Sequence, residues 1–353
     1  MSPRRIIVSR AEAGQSVAAV LKKRLGLSWS QARQLVQDER VRLSSGTCRN
    51  PSQRLKAGQR LDILLPAKPD RSRAAPTARR SKSSPFAVPL RRSSELPQGV
   101  KPSIIRYADE HVVVVDKPAG LTTMRHRHEA EEFGARARKF LPPTLADVLP
   151  ALLARREGKS ARPLRAVHRI DRDTSGLVVF ARTPAAERHL SQQFRAHTVE
   201  RHYLALVRGQ ARSERIESFL IRDRGDGRRG SVADSHQGQR AISHVRIVEE
   251  LGDFTLIECR LETGRTHQAR IHLGEKGTPL CGERVYDRPV HGQPLPDTSD
   301  ATRPLLHAAF LAITHPVSGQ RLSWTSPLPA DMAALLRRLR RQVARQSKNA
   351  NHH

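Results

Sequence analysis

Cysteine is scarce in this chain of 353 residues: Cys48, Cys259 and Cys281 are its three thiols, far apart and without a CxxC pair. That spacing excludes a disulfide framework and a cysteine-based structural zinc site, and leaves ordinary reduced thiols as the reading. Long apolar runs are missing too. No stretch approaches the ~20 apolar residues that cross a bilayer. The basic start, MSPRRIIVSRAEAG, lacks the apolar core and small-residue cleavage site of a secretory signal. A cytoplasmic protein with no membrane partner is therefore expected. Acidic residues are outnumbered, 34 Asp and Glu against 63 Lys and Arg, for a formal net charge of +29. Such a surface attracts anionic partners over a long range, and a sequence pI near 11.5 lies among those of nucleic-acid binders. With no basic amphipathic helix rich in Trp and Phe ahead of the C-terminus, RNA or DNA fits better than a membrane surface.

The length accommodates two domains. Residues 1–66 read as a small module, in which Val17, Val20, Leu21 and Leu25 recur at helical spacing and Gly26 offers a stop. Ser28 and Gln31 fit a capping box for a second helix whose buried face includes Leu35 and Val36. Short strands are expected at 41–43 and along the alternating Leu61, Ile63 and Leu65. Two helices and a small sheet, closed by QRLKAGQRLDILLP, resemble the RNA-binding module named after the fourth small-subunit ribosomal protein. The resemblance implies that Lys22, Lys23, Arg33, Arg40, Arg42 and Arg49 contact phosphates and release counterions; the competing reading is a solvated basic face. Residues 67–101 are rich in Pro, Ser, Ala and Arg, with nine Lys and Arg against two acids. So little apolar surface cannot offset ordering entropy, so a disordered basic linker is expected, either lying along RNA or serving as a spacer.

From residue 102 to 330 the chain reads as one mixed domain with strands at 111–115, 176–181, 203–207, 242–248 and 254–261. Gly252 and Asp253 sit where a hairpin would turn, which makes those neighbours antiparallel and disfavours a doubly wound parallel sheet. Thr183 and Pro184 open a helix carrying Leu190 and Phe194 on one face. In the segment 331–353, Met332, Leu335, Leu336, Leu339 and Val343 form an apolar stripe crowded by Arg337, Arg338, Arg340, Arg341 and Arg345. That is an amphipathic helix, its Arg face open to RNA or simply to solvent.

The densest chemistry lies in RAVHRIDRDTSGLVVFARTPAAERHLSQQF, where a polar stretch holding Asp171 runs directly into an apolar strand near Gly176. His168, Arg169, Ile170 and Asp171 closely resemble the HRLD motif of the ribosomal large-subunit and transfer-RNA pseudouridine synthase superfamily, with Ile170 in place of Leu. Further matches follow in the family's order: DEHVVVVDKPAGL at 109–121, ERHYLALVRG at 200–209, TGRTHQARIHL at 263–273 and LLHAAFLAITHPVSGQ at 305–320. The resemblance implies an α+β fold, a mixed, mainly antiparallel sheet with flanking helices and a central RNA cleft. It also implies an isomerase that uses no cofactor.

Such an enzyme must detach the uracil of a uridine, turn it in place and rejoin it to the same ribose through carbon. A carboxylate achieves this by attacking the anomeric carbon or by removing the neighbouring ribose proton, and the residues leave both routes open. Either route needs an ionised Asp in a site that excludes water, where burial works against the charge, so a cation must sit beside it. The resemblance assigns that place to Arg270, with Ala269 standing where the family has Ile or Leu. It assigns Tyr203 as the active-site Tyr that stacks on the uracil, against the reading of a core aromatic on a strand. Arg169 is suited to filling the space that an extruded uridine leaves in folded RNA. His168 reads as a hydrogen-bonded structural residue.

HRIDRD superficially matches a kinase catalytic loop, but no glycine-rich nucleotide loop precedes it and the matching Asn is missing. The 16 histidines, including His126 with His128, His267 with His272, and His352 with His353, supply no metal-ligand set. A noncatalytic RNA-binding or ribosome-assembly protein on the same fold remains the alternative; losing Asp171, Tyr203 or Arg270 would mark it, and all three are present. PLCGERVYD departs from the family's VGD and YG ending, and a polar insertion at 287–304 is expected to reshape that side of the cleft. The N-terminal module favours ribosomal over transfer RNA, and a monomer is expected. If the basic module and linker contact phosphates, deleting residues 1–100 should weaken RNA binding and flatten its dependence on salt. Unchanged affinity and salt slope in a binding titration would make that region a spacer.

Overall fold

The structure, a computed structural model, describes residues 4–9, 12–27, 32, 34–36, 38, 40–43, 46–48, 53–55, 57–64, 100–125, 142–158, 162–225, 227–288 and 292–350. Its backbone divides into two compact units, Met1–Pro89 and Leu90–His353. The expected capping box at Ser28 and Gln31, together with Arg33, Arg49, Leu65, most of the linker, His126, His128, His352 and His353, lies outside the described residues.

The first unit holds β1 (Arg4–Ile7), α1 (Val17–Leu25), β2 (Val41–Leu43), β3 (Gly46–Thr47) and β4 (Arg60–Ile63), with the sheet in the order β1-β4-β2-β3. Helix α1 begins where Ser16 accepts from the Ala19 amide. It ends at Gly26, whose φ of 64° is the left-handed geometry that glycine adopts without penalty. Val17, Val20, Leu21, Val36, Val41, Leu61 and Ile63 form its core. Strand β1 is an addition to the expected order. It pairs antiparallel with β4, and a four-residue strand that opens with two Arg carries too short a pattern to announce itself.

The second unit is built on an 11-stranded sheet. Its strands are β5 (Ile105–Ala108), β6 (Val112–Lys117), β7 (Arg165–Ala166), β8 (Ser175–Ala181), β9 (Glu200–Arg208), β10 (Glu214–Ile221), β11 (Gly230–Val232), β12 (Gln239–Glu250), β13 (Phe254–Leu261), β14 (Leu306–Thr314) and β15 (Arg321–Thr325). The order is β11-β10-β12-β13-β9-β14-β8-β6-β5, with β15 beside β14 and β7 beside β8. All five expected strands are present, and β12 and β13 form the antiparallel hairpin that Gly252 and Asp253 announce. Among the described residues the single parallel pairing is β14 with β8, which makes the sheet mixed.

Helices cover the sheet. Thr183 caps α3 (Pro184–Arg195), which buries Leu190 against β8 and β14. Between β6 and β7 lies α2 (Leu145–Glu157), for which the sequence reading has no counterpart. It contains Pro150, normally a helix breaker, but Thr144 donates its amide and hydroxyl to Asp147, and Leu145, Leu149, Leu152 and Leu153 are buried. Helix α4 (Gln268–Glu275) follows β13. The chain closes in α5 (Ala330–Ala350), whose Met332, Leu335, Leu336 and Leu339 pack on Leu206, Phe254, Leu256 and Leu305. Each such burial contributes about 2 kcal/mol. The Arg face is only partly open. Arg338 pairs with Asp300 at 2.7 Å and Arg340 with Glu249 at 2.6 Å, so Arg338 is a docking contact and not a free cation.

The parallel seam constrains one residue severely. Gly176 has φ 110°, and a Cβ there would stand 2.3 Å from the Ala308 carbonyl oxygen. Gly176→Ala should therefore cost roughly 3 kcal/mol or more. A denaturation midpoint unchanged from wild type would refute the close approach.

Candidate active site

Asp171 lies in the short turn between β7 and β8, and the turn is held through its backbone from several directions. Thr123 donates its hydroxyl to the Ile170 carbonyl at 2.8 Å and accepts from the Ile170 amide. The Arg172 carbonyl accepts from the Gly120 amide and from the Lys117 ammonium, both at 2.9 Å. Arg303 donates to the Asp173 carbonyl at 2.9 Å. Lys117 is wholly buried and also donates to the carbonyls of Pro118 and Leu121. Burial drags its pKa down to about 7 against the pull of Asp173 and Asp171. These contacts explain why the turn is rigid: its shape is set by main-chain bonds to DKPAGL, leaving the Asp171 side chain to face the cleft.

Arg270 approaches from the first turn of α4, with Nη1 3.5 Å from Asp171 Oδ2. The expected partners thus meet, but the tighter bond lies elsewhere. Arg270 Nε and Nη2 donate to both oxygens of Glu283 at 2.7 and 2.8 Å, a bidentate pair whose carboxylate is fully enclosed. Glu283 Oε1 also accepts from the amides of Arg284, Val285 and Tyr286. Burial alone would push the Glu283 carboxyl up; Arg270 and those amides outweigh it and hold it below its ordinary value. Burial likewise opposes the Arg270 charge, and Glu283 and Asp171 restore it. Glu283 stands in the GERVYD segment that departs from the family pattern, so only its placement reveals it.

His267 caps α4 in left-handed geometry, φ 60°, which is uncommon for a residue with a Cβ. Its Nε2 lies 3.8 Å from Asp171 Oδ1, and its Nδ1 is 2.8 Å from the Tyr286 hydroxyl. Burial, opposed by Asp171, lowers its pKa. The sequence reading considered His267 only as a metal ligand paired with His272. His272 instead bonds Ser218 and Ser243 on the far side of α4. Among the described residues no group of three or more His, Cys, Asp or Glu is arranged to hold a metal ion. Gln268 locks the turn, accepting from Thr263 and Arg265 and donating to the Ile242 carbonyl and Ser243.

Tyr203, on β9, belongs to the hydrophobic core and also lines the wall of the cleft. Arg169 is exposed at the rim. The cleft is lined by these two with Asp171, Arg201, His267 and Arg270, among others. All four expected residues of the catalytic domain therefore converge. His168 stands apart: it accepts from the Val179 amide at 3.0 Å and stacks on Phe194, and burial pushes its pKa down to about 3. Among its described residues the insertion supplies no lining of this cleft, but its Arg303 holds the Asp171 turn through the Asp173 carbonyl. Its described part folds against Arg208, which donates to the Leu295 carbonyl, and against Gly282, which donates to Asp297. Lys22, Lys23, Arg40 and Arg42 belong to the N-terminal unit, where Lys23 and Arg42 are exposed and Arg40 lies 4.0 Å from Asp38.

The RNA pseudouridylate synthase family matches residues 111–275 of this chain. The chain is 41% identical over 245 residues to ribosomal large subunit pseudouridine synthase D of Nitrosomonas europaea, covering 68% of this chain and 66% of that protein. It is 36% identical over 255 residues to the protein of the same name from Zymomonas mobilis, covering 71% of this chain and 77% of the relative. The human protein RNA pseudouridylate synthase domain containing 4 superimposes with a TM-score of 0.54 at 23% identity, over 67% of this chain and 92% of that one, a likeness of fold.

The Arg270–Glu283 pair has a pH signature. Because the Glu283 pKa is lowered on folding, its stabilisation is full above the ordinary carboxylate range and is lost as pH falls below about 4. Glu283→Gln should cost about 3–5 kcal/mol at neutral pH by stranding Arg270. Denaturation across pH should show the gap to wild type narrowing on acidification; a gap independent of pH would contradict the pairing.

Proposed function

The chain belongs to the RNA pseudouridylate synthase family, and from that premise we propose that it converts specific uridines of large-subunit ribosomal RNA to pseudouridine, with Asp171 acting on the ribose. The observation carrying this reading is the meeting of Asp171, Arg270, Tyr203 and Arg169 around one cleft. Arg270, fixed by Glu283, holds its guanidinium 3.5 Å from the Asp171 carboxylate. The reaction is balanced without a cofactor. The C1′–N1 bond breaks, the uracil turns, a C1′–C5 bond forms, and the proton lost from C5 is replaced by one gained at N1. Attack by Asp171 on C1′ and removal of the neighbouring ribose proton both fit this balance, since each begins from a carboxylate aimed at the sugar.

In this reading the Tyr203 ring stacks on the uracil and limits its drift while it is detached. Arg169 takes the place of the extruded uridine in the RNA stack. Residues 1–66 form an RNA-binding module whose Lys22, Lys23, Arg33, Arg40 and Arg42 meet phosphates. Residues 67–101 tether it, 102–330 carry the chemistry, and 331–353 cap the catalytic domain. The protein acts as a monomer in the cytoplasm. The relatives are named for the ribosomal large subunit, which supports that target.

Asp171→Asn should preserve the fold and RNA binding while lowering pseudouridine formation by several orders of magnitude. A pseudouridine map of cellular RNA with wild type, the Asn variant and no gene reads activity and target together. Near-normal modification by the variant would remove Asp171 from the mechanism, and identical maps with and without the gene would remove the activity.

A further inference from the structure

Arg201 precedes Tyr203 by two residues on β9, so both point to the same face of the sheet. Only 9% of Arg201 is exposed, yet it lines the same cleft as Asp171 and Arg169. Its contacts contrast with those of Arg270. Among the described residues Arg201 has no carboxylate partner; Nη2 donates to the Leu261 carbonyl at 3.4 Å, the guanidinium carbon lies 5.5 Å from the Phe194 ring centre, and Nε is buried without a partner. Nearby carboxylates are engaged elsewhere: Glu200 with Arg321 and His202, Glu262 with His244, and Asp171 facing Arg270. Gly264 leaves the guanidinium its room, for a Cβ there would lie 2.9 Å from Nη1.

A buried guanidinium without a counter-charge is costly to the protein alone, and the fold nevertheless places it in the wall of the cleft that also holds Asp171. What would satisfy it is an anion arriving with the ligand. An extruded uridine that presents its ribose to Asp171 brings a phosphodiester, one bond set away, into the same cleft. We propose that Arg201 is the binding residue for a phosphodiester flanking the target uridine, an inference resting on the functional reading above. Its planar fork suits two phosphate oxygens. The role follows from the reaction: once the glycosidic bond breaks, contacts to the base no longer hold the sugar. Arg201 holds the sugar through its phosphate while Tyr203 holds the base, so that C5 and C1′ stay in register for rejoining.

The test pairs protein and RNA changes. A short RNA bearing one loop uridine is made with a neutral methylphosphonate either 5′ or 3′ of that uridine, and binding and turnover are measured with wild type, Arg201→Gln and Arg201→Lys. The expected loss for Arg201→Gln is about tenfold to a hundredfold. Methylphosphonate at one of the two positions should cost wild type a similar factor and cost the Gln variant almost nothing further. Arg201→Lys should recover part of the loss. Melting of the RNA-free Gln variant should occur at or above the wild-type temperature, because an unpaired buried charge has been removed. Losses that simply add at both positions, or a large drop in melting temperature with unchanged RNA binding, would make Arg201 a packing residue and overturn the proposal. Coupling seen in binding without any pseudouridine formed would instead sink the functional reading and leave the anion subsite standing.

Discussion

The active-site geometry rests on the contact of two parallel strands at the middle of a largely antiparallel sheet. Where β8 meets β14, Gly176 lies so close to Ala308 that no side chain fits. Asp171 sits five residues earlier in the chain, so the start of β8 fixes where its turn ends. The rest of the site is hung from that point. Lys117, Gly120, Thr123 and Arg303 bind main-chain atoms of the turn, and β9, which supplies Tyr203 and Arg201, pairs with the other edge of β14. The backbone is held by bonds that use none of the carboxylate's own capacity, which leaves Asp171 available for chemistry.

Charge is handled by a chain of partners. A carboxylate in a cleft needs a cation, the cation Arg270 is itself largely buried, and it needs an anion that will not wander. Glu283 fills that last place with two bonds to Arg270 and three accepted from backbone amides. Arg270 therefore faces Asp171 with one nitrogen while being anchored by the others. Arg201 is the exception in this arrangement, a buried cation with no carboxylate partner among the described residues. One guanidinium is built to stay paired within the fold and the other to be paired from outside it.

Much of this was legible in the residues. The stop of α1 at Gly26, the cap at Thr183, the hairpin at Gly252 and Asp253 and the stripe of α5 each depend on neighbours within a few positions, and each is found where the spacing places it. The ordered motifs likewise located Asp171, Tyr203, Arg270 and Arg169, because a family's motif order survives in sequence even where its geometry is invisible. Helix α2 escaped because Pro150 masks a pattern that a capping bond and four buried leucines rescue, and β1 escaped because four residues make no period.

The sequence by itself determined which residue types stand ready for the chemistry, where the strongly periodic helices and strands run, and a charge balance that attracts anionic partners. Tertiary structure decided who faces whom. Glu283 as the anchor of Arg270, His267 beside Asp171, Arg338 spent on Asp300, the insertion turned toward Arg208, and Arg201 buried with no carboxylate partner among the described residues all depend on strand order and on a parallel pairing between residues far apart in the chain. Periodicity reports the buried face of one element, because that is a local property of side-chain direction. It carries no record of which distant element covers that face, since that is settled by the packing of the whole sheet.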